Sequence, residues 1–502
     1  MILTAVATAF IAGAAGRARA AANEQIVKQG EYLATAGDCV SCHTAPGGQP
    51  FAGGLYMPTP FGEISTPNIT PDKTTGIGDW SDEEFYRAMH EGIGRHNEYL
   101  YPVFPFPWFT KVTRDDVVAI KAYLFSLPAV NAPRKPLKLA FPFNIRESLL
   151  AWRIAFFKPA TFAPDPQHTD QINRGAYLVE GLAHCGECHN RHLMFGASNW
   201  SGKLEGGEIE GWYAPNLTDA GQDSIAAWSG EQIAKFLKTG ADPKKGVALG
   251  PMRETIDHSL SHLSDDDLLA MATYIKTATA NETTRTAAAE AAPPARAGGE
   301  VYLTSCAFCH QPNGEGIPGM IPALAGNPAV AAEGPENVIR VVLGGLEASH
   351  GLGPMPATGQ AMSDGDIAAV VNYVRASWGN KAPSNAGPGN VADLRSKTRT
   401  LLAGNLTEGC PSIPNPQLAK TVAGVRDQLS GVEPANMLPR VDAMLPGLKT
   451  SGASDDDIVN ALTAAYCSVV TSHNAPPAQR AVLLGDFSVL VYGQLKHKTK
   501  PN

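Results

Sequence analysis

Beyond the N-terminal segment, no stretch reaches the roughly 18–20 consecutive apolar residues that a membrane-spanning helix needs. Any contact with a membrane must therefore be peripheral or made through a partner. Positive charge is in deficit: 40 Lys and Arg stand against 48 Asp and Glu, for a net charge of −8 and an isoelectric point near 5.9. That balance excludes nucleic acid as a partner and shows no basic membrane patch. There is no P-loop, no Ser-His-Asp spacing and no G-x-G-x-x-G between a strand and a helix, so a substrate-oxidising site is expected on another chain. Aromatic residues are scarce at 7%, while Gly and Pro reach 50 and 39 of 502 residues. So loop-rich a composition leaves little material for large side-chain cores, a shortfall that buried prosthetic groups can fill.

Cysteine is also sparse, with eight residues. Six of them fall in a five-residue pattern that occurs three times: Cys39-Val40-Ser41-Cys42-His43, Cys185-Gly186-Glu187-Cys188-His189 and Cys306-Ala307-Phe308-Cys309-His310. Cys-x-x-Cys-His is the attachment signature of c-type haem. The thiols add across the haem vinyl groups, and the histidine becomes the proximal iron ligand. A redox-active cysteine pair or half of a zinc site can use Cys-x-x-Cys, but neither supplies the following histidine three times over. The chain is thus expected to bind three covalent c-type haems through Cys39, Cys42, Cys185, Cys188, Cys306 and Cys309, with His43, His189 and His310 on iron. The two remaining cysteines, Cys410 and Cys467, lie in the C-terminal segment and could form one disulfide.

Residues 1–22 read as a secretory signal peptide, an apolar run from Ile2 to Ile11 followed by the A-x-A site Ala18-Arg19-Ala20, although no Lys or Arg precedes the run. The run is too short for a membrane anchor. Export agrees with the haem motifs, because c-type attachment takes place on the periplasmic side in bacteria. A periplasmic location on the outer face of the inner membrane is expected.

Each motif opens a block with the same order of signals, an internal repeat. A helix-like stretch with a Gly-x-Tyr-Leu or similar core precedes it: Gly30-Glu31-Tyr32-Leu33, Gly175-Ala176-Tyr177-Leu178 and Gly299-Glu300-Val301-Tyr302-Leu303. The Tyr is expected to pack near the haem. A Gly/Pro-rich loop follows the motif, then a helix opened by Ser81…Glu84, Ser229…Gln232 or Pro335-Glu336. A second capped helix starts at Thr113, Ser264 or Ser363, with apolar faces Val117/Ile120/Tyr123/Leu124, Leu268/Met271/Tyr274/Ile275 and Ile367/Val370/Tyr373/Val374 at helical spacing. The expected fold is all-α: three tandem class I cytochrome c domains over 23–165, 166–285 and 286–388, then a helical extension over 389–502. Residues 126–170, rich in Pro and Phe, wrap from the first block to the second, and 278–297 read as a tether. Three amphipathic helices are expected in the extension, on Leu418/Val422/Val425/Leu429, Ile458/Leu462/Ala465 and Val482/Leu483/Phe487/Leu490/Val491.

An electron-transfer haem needs a sixth ligand, most often Met, which raises its potential. In this plan it comes from the loop before the last helix of each block. Gly250-Pro251-Met252 and Gly353-Pro354-Met355-Pro356 supply Met252 and Met355. In the first block Phe104 stands at that place, and Phe cannot ligate iron. Met57, Met89, His90 and His96 remain candidates there, with none preferred.

These residues carry a resemblance. Ala36-Gly37-Asp38-Cys39 through His43-Thr44-Ala45, Phe51-Ala52-Gly53-Gly54, Thr59-Pro60-Phe61-Gly62, Asn68-Ile69-Thr70-Pro71-Asp72, Gly76-Ile77-Gly78, the run Arg174 to Gly181 and Ala214-Pro215-Asn216-Leu217-Thr218 are the stretches concerned. Over residues 25–385 the chain resembles the triheme cytochrome c subunits of bacterial membrane-bound dehydrogenases, which act on alcohols, aldehydes, gluconate, sorbitol or fructose. The resemblance implies a subunit that takes electrons from a separate catalytic dehydrogenase, bearing flavin, pyrroloquinoline quinone or molybdopterin. It passes them to ubiquinone or a terminal oxidase while peripherally associated with the membrane. Many members lack the last hundred or so residues. Members often carry Tyr-Pro-x-Met-Pro-Tyr in the first block, from which Val103-Phe104-Pro105-Phe106 departs. Two other readings are a peroxidase-like haem enzyme using an open iron at the first site and a free multihaem carrier.

Overall fold

In the computed structural model of the protein, the described residues are 23–200, 203–218, 225–242, 245–280, 296–398, 410–413, 415–472 and 476–497. The expected signal peptide and most of the expected tether lie outside them. A crossing of two helices recurs three times. The leading helices cover residues 23–36, Asp170–Tyr177 and Arg296–Ser305, and the closing helices cover Arg114–Ser126, Asp265–Ala280 and Asp364–Ala376. Glycine makes each crossing possible. A Cβ on Gly30, Gly175 or Gly298 would lie 1.8, 2.0 or 2.2 Å from the carbonyl oxygen of Ala119, Ala270 or Ala369. No side chain fits there, so the backbones touch and the flanking apolar faces close over them.

The closing helices bury Val117, Ile120 and Leu124, then Leu268, Met271 and Ile275, then Ile367, Val370 and Val374. Thr113 and Ser363 cap the first and third by accepting from the amides of Asp116 and Asp366, and Ser264 accepts from Asp267 N–H. The middle helices are Asp82–Glu91, Gly230–Thr239 and Glu336–Gly344, the first two opened by complete capping boxes at Ser81/Glu84 and Ser229/Gln232.

The chain is predominantly helical, with short antiparallel ladders that the all-α expectation omitted. Tyr56–Thr59 pairs with Gly62–Ser65, which Lys138–Leu139 joins, and Gly207–Ile209 pairs with Trp212–Ala214. Their turns need left-handed backbone, supplied by Gly62 (φ 126°) and Gly211 (φ 73°).

The first and second units exchange contacts reciprocally. Tyr32 donates to Asp267 Oδ2 at 2.7 Å, and Tyr177 to Asp116 Oδ2 at 2.5 Å. Each Tyr thus reaches the first turn of the other unit's closing helix. The fully buried Tyr302 bonds within its own unit instead, donating to Gln311 O at 2.6 Å. The third unit joins the second through Asn337, which donates to Tyr213 O and accepts from Tyr213 N–H, both at 2.9 Å.

Helix Pro388–Lys397, grouped with the extension on sequence, packs Val391 and Leu394 into the core of the third unit instead. The extension proper is a separate helical core around Leu418, Val441, Leu462 and Phe487, with Cys410 and Cys467 disulfide-bonded. Its first expected helix divides at Gly424 into Pro416–Ala423 and Arg426–Ser430. One helix, Met437–Lys449, was not expected, because Pro439 and Pro446 interrupt its pattern.

On the outside, helix Leu149–Phe156 buries Leu149 but leaves Leu150 and Ile154 exposed, near exposed Phe141, Ile145, Met194 and Phe195. The Trp152 indole N–H donates to Phe195 O at 3.1 Å and ties the two segments together. Residues 134–158 carry six cations, Arg134, Lys135, Lys138, Arg146, Arg153 and Lys158, against Glu147 alone. The acidic whole-chain balance conceals this local strip.

Glu180 locks the first unit to the second. Its carboxylate meets Lys111 Nζ and Lys203 Nζ, each at 2.7 Å, and accepts from the Tyr274 hydroxyl. Burial works against its ionisation, yet these partners outweigh burial and hold the carboxyl at about 2. A depressed carboxyl contributes stability that is present above its unfolded value near 4.5 and is lost as pH falls toward 2. Glu180→Gln is expected to cost about 3 kcal/mol at neutral pH and to flatten the loss of stability between those pH values. Urea unfolding at several pH values reads both.

Candidate cofactor-attachment sites

Each Cys-x-x-Cys-His stretch forms a single helical turn, Cys39–Cys42, Gly186–His189 or Ala307–His310. That turn brings both thiols and the imidazole to one place. The six cysteines are unpaired. Burial pushes the thiols of Cys39, Cys42 and Cys185 up to about 12 and that of Cys306 up to about 11. Raised thiols of this kind are the reverse of the activated thiolate that a nucleophilic redox pair requires. Among the described residues no cluster of three or more His, Cys, Asp or Glu could hold a metal ion.

The imidazoles are held alike. His43 Nδ1 lies 2.7 Å from Pro67 O, His189 Nδ1 2.8 Å from Pro215 O, and His310 Nδ1 3.3 Å from Pro322 O. A carbonyl only accepts, so Nδ1 carries the proton and Nε2 keeps its lone pair. Burial holds all three histidines below the usual imidazole range, and hence neutral. A neutral imidazole oriented by a backbone carbonyl is the arrangement an iron ligand needs. The Cys pairs and these histidines therefore fit c-type haem.

A glycine buttresses each proline. Gly53, Gly206 and Gly316 donate their N–H to the carbonyls of His43, His189 and His310 at 2.7, 2.7 and 3.0 Å. All three have positive φ, of 70°, 82° and 67°. A Cβ would come within 2.4 Å of Pro67 C, 3.1 Å of Pro215 C and 2.7 Å of Pro322 O. Histidine, glycine and proline thus close one small ring of contacts, three times. Nothing in the linear sequence marks the ring as a unit. The prolines at the ends of the first two loops were the available signal.

Met252 and Met355 are half-buried. Met252 lies in the first turn of helix Gly250–His258, where a loop was expected, because Pro251 opens the helix rather than preventing it. Met355 sits on a hairpin and exchanges both backbone hydrogen bonds with Leu346, at 2.8 and 2.9 Å. Phe104 packs against Phe109 at 5.6 Å between ring centroids. Of the other candidates in that block, Met57 is on a strand opposite Ile64, Met89 is core, His90 stacks on Tyr86, and His96 is on an exposed turn.

The first two motifs face one another. Trp108 of the first unit covers Gly186, where a Cβ would lie 2.1 Å from the indole, and its N–H donates to Glu187 Oε2 at 2.7 Å. In return, His258 of the second unit meets Ser41 Oγ at 2.9 Å. Burial pushes Glu187 and Asp38 up to about 7 at this junction. Neither Trp108 nor His258 was singled out from sequence.

Residues 27–128 and 295–378 match the cytochrome c family. The gluconate 2-dehydrogenase cytochrome c subunit of Pantoea cypripedii is 38% identical over 410 residues, covering 76% of this chain and 92% of that protein. The cytochrome c subunit of the quinone alcohol dehydrogenase of Gluconobacter oxydans is 36% identical, covering 75% and 83%. The fructose dehydrogenase cytochrome subunit of Gluconobacter japonicus is 38% identical, covering 72% and 81%.

Gly47 shares the left-handed backbone of Gly53, with φ 69°, but has nothing within 4 Å of a built Cβ. Gly47→Ala is therefore expected to cost only backbone strain, about 1 kcal/mol. Gly53→Ala should cost clearly more and disturb the haem absorption spectrum. Thermal unfolding of the haem-loaded variants, with their visible spectra, makes the comparison.

Proposed function

This chain belongs to the family of cytochrome c subunits of bacterial dehydrogenases, and on that premise we propose that it is the electron-transfer subunit of a membrane-bound dehydrogenase complex, carrying three covalently bound c-type haems. The observation that carries the reading is the threefold ring of histidine, glycine and proline beside an unpaired cysteine pair. In it Cys39/Cys42, Cys185/Cys188 and Cys306/Cys309 are the attachment points, and His43, His189 and His310 offer Nε2 to iron. Met252 and Met355 are the sixth ligands of the second and third haems; Phe104 leaves the first without a ligand from its register position. Bound haem supplies an iron centre that takes up and releases single electrons.

The chain's contribution is placement. The first and second attachment turns lie against each other across Trp108, Glu187, Ser41 and His258, which favours transfer between those sites. The third motif presents Phe308, 92% exposed, and the helix before it Leu303, 60% exposed, a surface suited to exchange with another protein. The proposed donor is a catalytic dehydrogenase subunit bearing flavin, pyrroloquinoline quinone or molybdopterin and oxidising an alcohol, aldehyde, sugar or sugar acid. Ubiquinone or a terminal oxidase is the proposed acceptor.

The proposed location is the periplasmic face of the inner membrane, with peripheral attachment. No helix of the described residues is long and apolar enough to cross a membrane. The basic strip over 134–158, with exposed Phe141, Ile145, Leu150 and Ile154, has the composition of an interfacial segment that seats apolar side chains among anionic headgroups.

Affinity purification of the tagged chain from native membranes tests the reading. It should bring down a stoichiometric large subunit with one of those cofactors, and the mass of the cytochrome should include three haems. A chain recovered alone that turned over peroxide would replace the relay with a haem enzyme. In the same fractionation, Leu150→Asp/Ile154→Asp should keep the partner and the haems but move the complex to the soluble fraction. Each withdrawn side chain forfeits about 2 kcal/mol of burial.

A further inference from the structure

The C-terminal extension carries no attachment motif, and the function proposed above leaves it without a role. Its contacts are concentrated on one target. The hairpin that bears Met355 runs from Gly345 to Pro356, closed at its base by the Leu346–Met355 bonds and at its tip by Ser349 and Leu352. Ala348, at the tip, is 1% exposed and belongs to the hydrophobic core of the extension rather than to that of its own unit. Asn460 holds it from both sides, accepting from Ala348 N–H at 3.2 Å and donating to Ala348 O at 2.9 Å. Gly351 is held likewise: its N–H donates to Asp456 Oδ2 at 2.9 Å, and its carbonyl accepts from Tyr492 OH at 2.5 Å. Nearer the methionine, a Cβ on Gly353 would meet the Tyr492 ring at 3.0 Å, and one on Gly485 would meet Pro356 Cβ at 2.6 Å.

We propose that the extension is a brace for this hairpin: Asn460, Asp456 and Tyr492 are positioning residues that keep the Met355 thioether on the iron of the third haem. The proposal rests on the reading of Met355 as the sixth ligand. A thioether is a weak ligand on a long loop, and ordering that loop for every binding event costs conformational entropy. Four hydrogen bonds from three side chains of one rigid body, with a fully buried alanine among them, remove that cost in advance. The other side of the tip is supported too, since His350 Nε2 lies 3.1 Å from Asp257 Oδ1 on the helix that carries Met252. The hairpin is clamped between the extension and the second unit.

The test uses the full haem-loaded chain and three readings: the sulfur-to-iron charge-transfer absorption of the oxidised protein, the midpoint potentials of the haems, and carbon monoxide uptake after reduction. Met355→Ala establishes the premise, with a weaker sulfur band, one lowered midpoint and one additional carbon monoxide per chain. Asn460→Ala/Tyr492→Phe should move all three readings in the same direction while every haem stays attached. Gly485→Ala pushes on Pro356 without removing a hydrogen bond. It should lower the same midpoint, and it decides the matter if the double variant does not assemble. The brace is overturned if these variants match the wild type while Met355→Ala does not. If Met355→Ala also matches the wild type, Met355 is not a ligand, and the failure lies in the premise.

Discussion

A histidine that is to bind iron must be neutral, must keep one nitrogen free, and must point that nitrogen in one direction. Here burial meets the first demand, and a single hydrogen bond from Nδ1 to a proline carbonyl meets the other two. Proline suits the task because its fixed φ and missing N–H leave the carbonyl as its only backbone commitment. The glycine that packs on it closes the loop back to the histidine carbonyl, so a displacement of any member displaces the others. The Cys-x-x-Cys turn immediately before the histidine is oriented by the same contacts. In the first two units the loops that end in Pro67 and Pro215 fold into hairpins between the motif and the middle helix, which gives the ring a rigid frame.

Two of the three units pair polar groups with each other. Asp116 and Asp267, at the first turns of closing helices, sit where a negative charge is favoured by the helix dipole. Each also accepts from a tyrosine of the opposite unit. Burial leads the forces that raise the Tyr177 hydroxyl above its ordinary range, followed by its bond to Asp116, so it remains a donor. Arg174 meets Asp267 through Nε and one terminal nitrogen, both at 2.8 Å, and fixes the geometry further. The pairing joins the two leading helices to the two closing helices and so ties the crossings that glycine permits to the junction between the first two motifs.

What was legible in the sequence was local. The three motifs, the capping residues and the apolar faces of the closing helices each depend on neighbours within one or two turns, and they lie where expected. The tyrosines show the limit. Tyr32, Tyr177 and Tyr302 occupy the same place in similar stretches, yet their partners are set by whether a second unit lies alongside. The buttressing glycines escaped notice because their distance from the histidine differs in each repeat and only the folded loop brings them back to it. Pro251, expected in a loop, opens a helix instead, and Pro446 lies inside a helix whose apolar face is buried in the extension and which was not expected.

The segment expected to supply the sixth ligand is anchored outside its own unit in every case. The first, ending in Trp108, lies on the second motif; the second, the helix carrying Met252, ends in His258 on the first motif. These two units provide for each other because they are paired. The third unit has no such mate: its junction with the second is made largely by Asn337, Arg340 and Glu333 and reaches the Met355 hairpin through His350 at the tip. Asn460, Asp456 and Tyr492 supply the missing support from the extension. Seen this way, the appended helical core is the counterpart of a fourth unit, present for the one surface that the other three cannot give the third. Its separate hydrophobic core and its disulfide serve that end, because a brace that itself yields cannot fix the loop it holds.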